Sequence, residues 1–386
     1  MKNILAISWF YLITLQKKTM AITRPRFDRQ KHSEFLKTLK QRVNQYFDQK
    51  KISKYGNWKL FFKTIFMLSL FLIPYFFIVT GFIENYWIII ALWAIIGVGK
   101  SGIGLSVMHD ANHGVLSKHK FINRIMESTM NFVGGNSSMW KTKHNVLHHT
   151  FTNVDGHDDD IDAPFLLRFS PHKPLKKIHR YQHYYAWFMY SLLTLMWITY
   201  SDFNSVFSFK KQGLIKGNKK FAWEFSQVTF WKIIYYAYLL ILPLIFSSAP
   251  FWLTLIGFVI MHMITGLILS VIFQLAHVMP DCDFPLPDLS GKMDNNWAVH
   301  QLATTTNFAP KNKIMSWFIG GLNYQVEHHL FSNISHVHYP ALSKIVKKTA
   351  VEYGIPYYSE DRFFKALKKH AKMLKALGRT PEIAAN

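Results

Sequence analysis

Four long apolar runs decide what this chain can become: Leu60–Thr80, Trp87–Met108, Thr229–Phe246 and Phe251–Gln274. A helix needs roughly 17–25 apolar residues to cross a bilayer, and each run meets that length. The runs come in pairs. Phe82–Tyr86 joins the first two and Ser247–Pro250 the last two, and neither turn carries Lys or Arg. Each pair is therefore expected to be a hairpin, with both turns on one face of the membrane and the polar segments on the other. Pro74 falls inside the first run, where membrane helices tolerate a kink. Lys100 falls inside the second. A lysine at mid-bilayer costs roughly 2.5–3.5 kcal/mol, so the hydrocarbon-embedded part is expected to end near Gly99, with the helix continuing beyond it.

Tyr184–Tyr200 is a fifth apolar stretch, and parity decides its role. If it crossed, the basic run Lys210–Lys220 would move to the face of the turns, against the tendency of Lys and Arg to remain cytoplasmic. It is expected instead to lie in, or dip into, the interface. The fold class that follows is an all-α integral membrane protein. Its four transmembrane helices form two hairpins, with interfacial helices and a cytoplasmic helical domain, and both termini are cytoplasmic. His262, inside the fourth run, is expected to be a hydrogen-bonded helix–helix contact.

The formal charge of the 386 residues is +23. No zinc finger, RNA-binding aromatic signature or basic repeat accompanies it, so nucleic acid is not an expected partner; the Lys and Arg residues flank the apolar runs. Cys282 is the only cysteine, which excludes intrachain disulfides, thiolate metal sites and iron–sulfur ligation. A metal would have to use imidazole, carboxylate, amide or water.

Residues 1–59 read as a basic N-terminal segment, 60–360 as the main domain and 361–386 as a C-terminal helix and tail. The apolar run Ile4–Leu15 is too short to span a bilayer and lacks the marks of a signal peptide. Met20 offers a more ordinary start, so residues 1–19 are expected to be a mis-assigned beginning. Residues 33–48 predict an amphipathic helix lying on the membrane, with Phe35, Leu39, Val43 and Tyr46 on its apolar face and Ser33 as N-cap. Asp361–Leu377 predicts a second, basic amphipathic helix with Phe364, Leu367, Ala371 and Leu374 on one face, stopped by Gly378 and Pro381.

Three histidine clusters stand between and after the runs: His109 and His113; His144, His148 and His149; His328 and His329. On an α-helix His144 and His148 share a face and His149 lies about 100° round. One pair can then serve one metal while the third ring turns toward another. Any one cluster reads equally well as a polar surface helix; three in one chain do not. The parity argument puts all three, with His277 at the end of the fourth run, on one membrane face. Eight imidazoles are too many for one metal and suit two. Asp110 and Asp158 are further candidates, as ligands or as acceptors for the outer imidazole N–H groups. Imidazole accepts zinc, copper, nickel or iron, so spacing leaves the metal open. Position narrows it. The site lies at the mouth of an apolar bundle, where a lipid tail can enter. An unactivated methylene has no acidic proton for acid–base groups to take, whereas iron with dioxygen supplies redox chemistry.

The strings H-D-A-N-H-G, H-N-V-L-H-H-T and Q-V-E-H-H-L-F resemble the three histidine boxes of membrane-bound fatty-acid desaturases. The resemblance runs from about residue 60 to 360. F-Q-L-A-H-V, W-A-V-H-Q-L-A-T-T-T-N-F and G-G-L-N-Y-Q-V-E-H-H-L-F are similar to the Δ6-type acyl-lipid enzymes in particular. The resemblance implies a non-haem di-iron centre that uses O2 and two electrons to place a cis double bond in a lipid-linked or CoA-linked acyl chain. It implies His109, His113, His144, His148, His149, His277, His328 and His329 as iron ligands, and an integral, multi-pass place in a bacterial inner membrane. The third box opens with Gln325 where many members have histidine, a feature of front-end desaturases. Gln325 as an oxygen ligand, as the anchor of a water, or as the mark of an open position all remain. His300 is expected to orient a ligand or touch substrate, with direct ligation of the metal as the lesser alternative. No H-P-G-G haem string occurs, so electrons are expected from a separate carrier, ferredoxin or cytochrome b5, for which a basic cytoplasmic face is suited. Two other readings compete. A related di-iron lipid or alkane hydroxylase is allowed by the boxes and disfavoured by the glutamine. A metal transporter would need ligands near the midplane of its spans, and these histidines lie outside them.

Overall fold

The computed structural model describes residues 24–162 and 165–382; the run Ile4–Leu15 and the alternative start Met20 lie outside them. In chain order β1 (Arg26–Phe27) leads to α1 (Ser33–Lys50), and α2 (Trp58–Val79) and α3 (Tyr86–Asn112) form the first hairpin. α4 (Lys120–Phe132) and the helical segment α5 (137–151) follow, then α6 (Gln182–Ser191) and α7 (193–211). α8 (Asn218–Phe246) and α9 (Phe251–His277) form the second hairpin. The remainder is β2 (Lys292–Met293), α10 (Trp297–Ala303), β3 (Thr306–Phe308), α11 (Lys313–Phe318), α12 (Gln325–Leu330), α13 (Tyr339–Glu352), β4 (Tyr358–Glu360) and α14 (Phe363–Leu377).

Among the described residues α2, α3, α8 and α9 are the helices long and apolar enough to cross a membrane. Their outer faces leave Phe61, Phe66, Ile73, Phe230, Ile233, Ile245 and Ile256 exposed, as lipid contact requires. The stretch Tyr184–Tyr200 is not among them. It breaks at Leu192 between α6 and α7, and both halves pack on α9. The two hairpin turns meet: Ser248 Oγ donates to the Ile83 carbonyl at 2.5 Å. The opposite ends of α3 and α9 therefore emerge together, carrying His109 and His277.

α3 is the central rod, and two glycines let its neighbours close on it. A Cβ at Gly97 would lie 2.7 Å from the Met261 carbonyl oxygen of α9, and one at Gly99 would lie 2.7 Å from the Leu70 backbone of α2. Helices in lipid associate through such close approaches. Gly97→Val is therefore expected to push α9 off α3 and cost about 1–3 kcal/mol. The yield of monodisperse protein in mild detergent should fall. An unchanged elution profile and melting temperature would refute the contact.

Lys100 is buried within the helix bundle. Its ammonium donates to Tyr235 Oη at 2.9 Å. Tyr235 donates to His262 Nε2 at 2.8 Å, and His262 Nδ1 meets Thr194 Oγ1 at 2.9 Å. Four helices thus satisfy one another's polar groups inside the bundle, and His262 is the helix–helix contact expected of it.

Two amphipathic faces are covered differently from expectation. α1 buries Phe35, Leu39, Val43 and Phe47, with Tyr46 only partly covered, and its N-cap is His32 in the left-handed region (φ 57°) instead of Ser33. Its stripe packs on Leu342, Val346 and Ala350 of α13. The apolar stripe is covered by the protein's own α13 and not left free for a membrane: a moment says that one face is covered, not by what. In α14 the buried stripe is Ala366, His370, Leu374 and Leu377, while Phe364 is 80% exposed. The stripe runs through a histidine, which hydropathy alone passes over. His370 Nδ1 donates to the Val278 carbonyl, and its Nε2 accepts from Tyr190 Oη, both at 2.8 Å. Two short parallel strand pairs, β1–β2 and β3–β4, tie the cap together.

Candidate metal centre

The three boxes, separated by up to 220 residues in the chain, converge at the end of the bundle. His109, His113, His144 and His328 form one group, and His148, His277 and His329 a second; within each group one nitrogen from every ring lies within 4.8 Å of the others. His149 stands between them. Its Nε2 is 2.9 Å from His328 Nε2 and 3.2 Å from His144 Nε2, and its ring stacks on His329.

Local backbone geometry makes this division. Ile103–Met108, just before the first box, and Thr142–His148, through the second, are π-helical. π-turns pair residue i with i+5 and occur often at functional sites. In the second box this turns His149 onto the side of His144 and sends His148 toward His277 and His329. His144 and His148 still stack as expected, at 5.3 Å between centroids, and share a third possible set with Asp160. What differs is that His149 closes on His144 and His328 instead of turning away, because the expectation assumed 3.6 residues per turn.

The outer nitrogens are held in place. His148 Nδ1 donates to Asp158, 3.0 and 3.1 Å from the two carboxylate oxygens. His277 Nδ1 donates to the Thr304 carbonyl at 3.2 Å and His329 Nδ1 to Gln301 Oε1 at 2.7 Å. A carbonyl oxygen only accepts, so these two rings carry their proton on Nδ1 and turn a bare Nε2 lone pair inward. Those two Nε2 atoms are buried without a hydrogen-bond partner. His328 Nδ1 lies 3.2 Å from Tyr339 Oη.

Burial holds His113, His144, His149, His328 and His329 well below the usual histidine range, and the crowding of neighbouring imidazoles adds to it. All five are then neutral at pH 7, the form that ligates a metal. His148 differs: burial pulls it down, but the carboxylates of Asp158 and Asp160 outweigh burial and raise it. The Nε2 atom of His144 lies 3.3 Å from that of His109 and 3.4 Å from that of His328. A proton between two such nitrogens satisfies only that pair and leaves other lone pairs opposed. A cation at their meeting point relieves them all, so the residues fit a nitrogen-liganded metal in each group.

The other candidates fall outside these two groups. The carboxylate of Asp110 accepts from Ser335 Oγ at 2.7 Å and from the His336 backbone at 3.3 Å, pinning the first box to the loop after the third. Asp158 also accepts from the backbone N–H groups of Asn153 and Asp160, both at 2.9 Å. Gln325 is buried at the start of α12 with its amide nitrogen unpartnered. His300 packs edge-on to Phe27; its neighbour Gln301, passed over in the sequence, is the residue that reaches the site. Trp140 was also passed over. It stacks on His144 at 4.3 Å between centroids. The available signal was position: Trp140 lies one turn before His144, and Gln301 lies beside His300 in a short helix whose other residues are apolar.

A family model described as fatty acid desaturase matches residues 85–361. The sn-1 linoleoyl-lipid 6-desaturase of Arthrospira platensis is 36% identical over 352 residues, covering 91% of this chain and 94% of its own length. That of Synechocystis sp. is 34% identical over 351 residues, 89% of this chain and 96% of its own. The acyl-lipid (8-3)-desaturase of Physcomitrium patens is 36% identical over 358 residues, 90% and 72% respectively. With its histidine boxes gathered at the end of four apolar helices, the chain belongs to the fatty acid desaturase family.

Proposed function

We propose that the eight imidazoles hold two iron ions and that the protein is a front-end, Δ6-like desaturase of a lipid-linked acyl chain that already carries a double bond. The observation that supports this most is the meeting of two imidazole groups, each with inward-turned nitrogens, at the mouth of an apolar bundle. The similarity to linoleoyl-lipid 6-desaturases supports the position and the lipid linkage over a CoA-linked substrate. Bound iron would supply the redox chemistry that removes hydrogen from an unactivated methylene pair. The balance requires an external donor. The acyl chain loses two hydrogens, and O2 takes these, two electrons and two protons to become two waters.

The protein's own part is orientation and exclusion. Asp158, Thr304 and Gln301 fix the outer nitrogens, so the inner lone pairs need no reorientation when metal binds. Trp140, Phe273 and the rings themselves wall the site against water. Asp158 also keeps His148 a strong donor by holding its N–H. Ferredoxin or cytochrome b5 would dock on the basic cytoplasmic face, with both termini on that side of a bacterial inner membrane.

Expression in a host fed linoleate, followed by gas chromatography–mass spectrometry of its derivatised fatty acids, tests the reading. A new acid with one further double bond toward the carboxyl end is expected. A hydroxylated lipid, or an unchanged profile with folded, iron-loaded protein, would overturn it.

A further inference from the structure

A second site lies away from the histidines. Where the end of α14 meets the turn before α6, a cleft of about 820 Å³ is lined by Lys176, Lys177, Arg180 and Arg379, with Leu175 and Tyr181. All four cations are exposed, and among the described residues none forms an ion pair with a carboxylate. The neighbouring Lys173, by contrast, is paired with Asp155 and Asp162. Gathering four like charges in one cleft is unfavourable unless an anion joins them.

The walls are built rather than loose. Arg168 donates to the Thr380 carbonyl at 2.9 Å and also to that of Leu377, and Gln182 Nε2 donates to the Leu374 carbonyl at 2.7 Å. Gly378 lies so close to the turn that a Cβ there would sit 2.0 Å from the His179 carbonyl oxygen. These contacts lock α14 to the turn and fix Arg379 opposite Arg180.

What surrounds the cleft identifies its ligand. Tyr181, Tyr184 and Phe188 are exposed at 57%, 72% and 55%, and Ile178 and Phe165 are exposed beside them. The Lys176 ammonium lies 5.2 Å over the Phe165 ring. Exposed aromatic rings beside basic groups are the composition of a membrane–water interface, and α6 leads from here along α9 into the bundle. An acidic protein docking from water would not call for that apolar rim. We propose that this cleft binds the phosphate of an anionic membrane lipid, with Arg180 and Arg379 as its forked donors and the two lysines flanking. The inference rests on the four helices lying in a membrane and is independent of the metal and of the reaction.

The test uses the full-length protein purified in uncharged detergent. Its affinity for dioctanoyl phosphatidylglycerol is compared with that for dioctanoyl phosphatidylcholine and for inorganic phosphate, in the wild type, in Arg180→Gln/Arg379→Gln and in Lys176→Gln/Lys177→Gln. The glycerol lipid is expected to bind about tenfold more tightly than the choline lipid, a difference of about 1.4 kcal/mol. Each double variant should lose most of that preference while melting as the wild type does. Should the arginine pair fail to fold, the lysine pair alone decides. Equal binding of the two lipids, or a preference untouched in a folded variant, overturns the proposal. So does inorganic phosphate that matches the lipid in affinity, which would make this a free-anion site. Loss of an acidic electron carrier's binding in the variants with the lipid preference intact would assign the cleft to a protein instead.

Discussion

Replacing His148 with alanine is expected to abolish desaturation and to lower iron content in the same preparation. His148 lies where the two groups touch. It stands with His277 and His329 in one, and with His144 and Asp160 in another possible set. Its ring meets His277 edge-on at 4.7 Å and His329 at 4.9 Å. Removing it takes one nitrogen from the smaller group and leaves the buried Asp158 carboxylate without its imidazole donor, which costs about 1–3 kcal/mol. Loss of a partner that only orients a ligand costs about 10–100-fold in metal affinity or activity; loss of the ligand itself should exceed that. Iron per chain, measured by plasma mass spectrometry on the monodisperse fraction, is expected to fall by about half or more. His119→Ala, outside both groups, serves as the control that a missing histidine is not enough. Full activity in His148→Ala, or normal iron without activity, would remove His148 from the ligand set.

The four runs were legible because lipid imposes a crude rule: length and apolarity decide, and Trp58–Val79 differs from the expected Leu60–Thr80 by a turn or less at each end. The helix of the third run, by contrast, begins at Asn218, well before the expected Thr229, because its charged first turns fall outside the apolar run. Parity then placed the boxes on one side without any knowledge of packing, and the meeting of Ser248 with Ile83 is that parity made physical. Covered faces were less legible. The stripe of α1 had the right period, yet period does not distinguish a lipid surface from α13. In α14 the counting of apolar residues chose Phe364 and missed His370, because a buried imidazole with both nitrogens bonded behaves as a core residue.

Within the site, the identity of the histidines was legible and their partition was not. Which ring faces which group depends on one inserted residue per turn in Thr142–His148, and a π-turn leaves no mark in composition. The partners were harder still. His300 was singled out because histidine is chemically conspicuous, whereas the adjacent Gln301 is the one whose oxygen meets His329. An amide acting as an acceptor two helices away is a tertiary fact. Asp158 is one of five aspartates, with Asp155, Asp159, Asp160 and Asp162, and the approach of both its oxygens to His148 Nδ1 separates it from the others. Asp155 and Asp162 pair with Lys173, and Asp160 pairs with Lys143 while its other oxygen comes only within 3.5 Å of His148 Nδ1.

That closure gives the second large effect. Asp158→Asn changes one atom yet should lower iron affinity by about 10–100-fold. The carboxylate accepts from three donors: His148 Nδ1 and the backbone N–H groups of Asn153 and Asp160. An asparagine offers one oxygen and turns an NH2 toward the remaining donors. At least one buried donor is then orphaned, at about 1–3 kcal/mol, and the His148 ring loses the negative charge that strengthens it as a ligand. The sign of the proton balance is the same. In the native protein burial pushes the Asp158 carboxyl up, but the His148 ring and the two backbone N–H groups overcome it and hold the carboxyl below its usual range. The stability this contributes is therefore present above the unfolded carboxyl range and is lost as pH falls through the lowered folded value. The variant should lack that acid-side loss, since it has no carboxyl to protonate. Iron retention titrated against a competing chelator, with desaturation measured before and after added iron, separates affinity from chemistry. Partial rescue by excess iron is expected. Wild-type retention in a folded Asp158→Asn protein would mean that the carboxylate does nothing for the metal, and the eight-histidine centre would have to hold its shape without it.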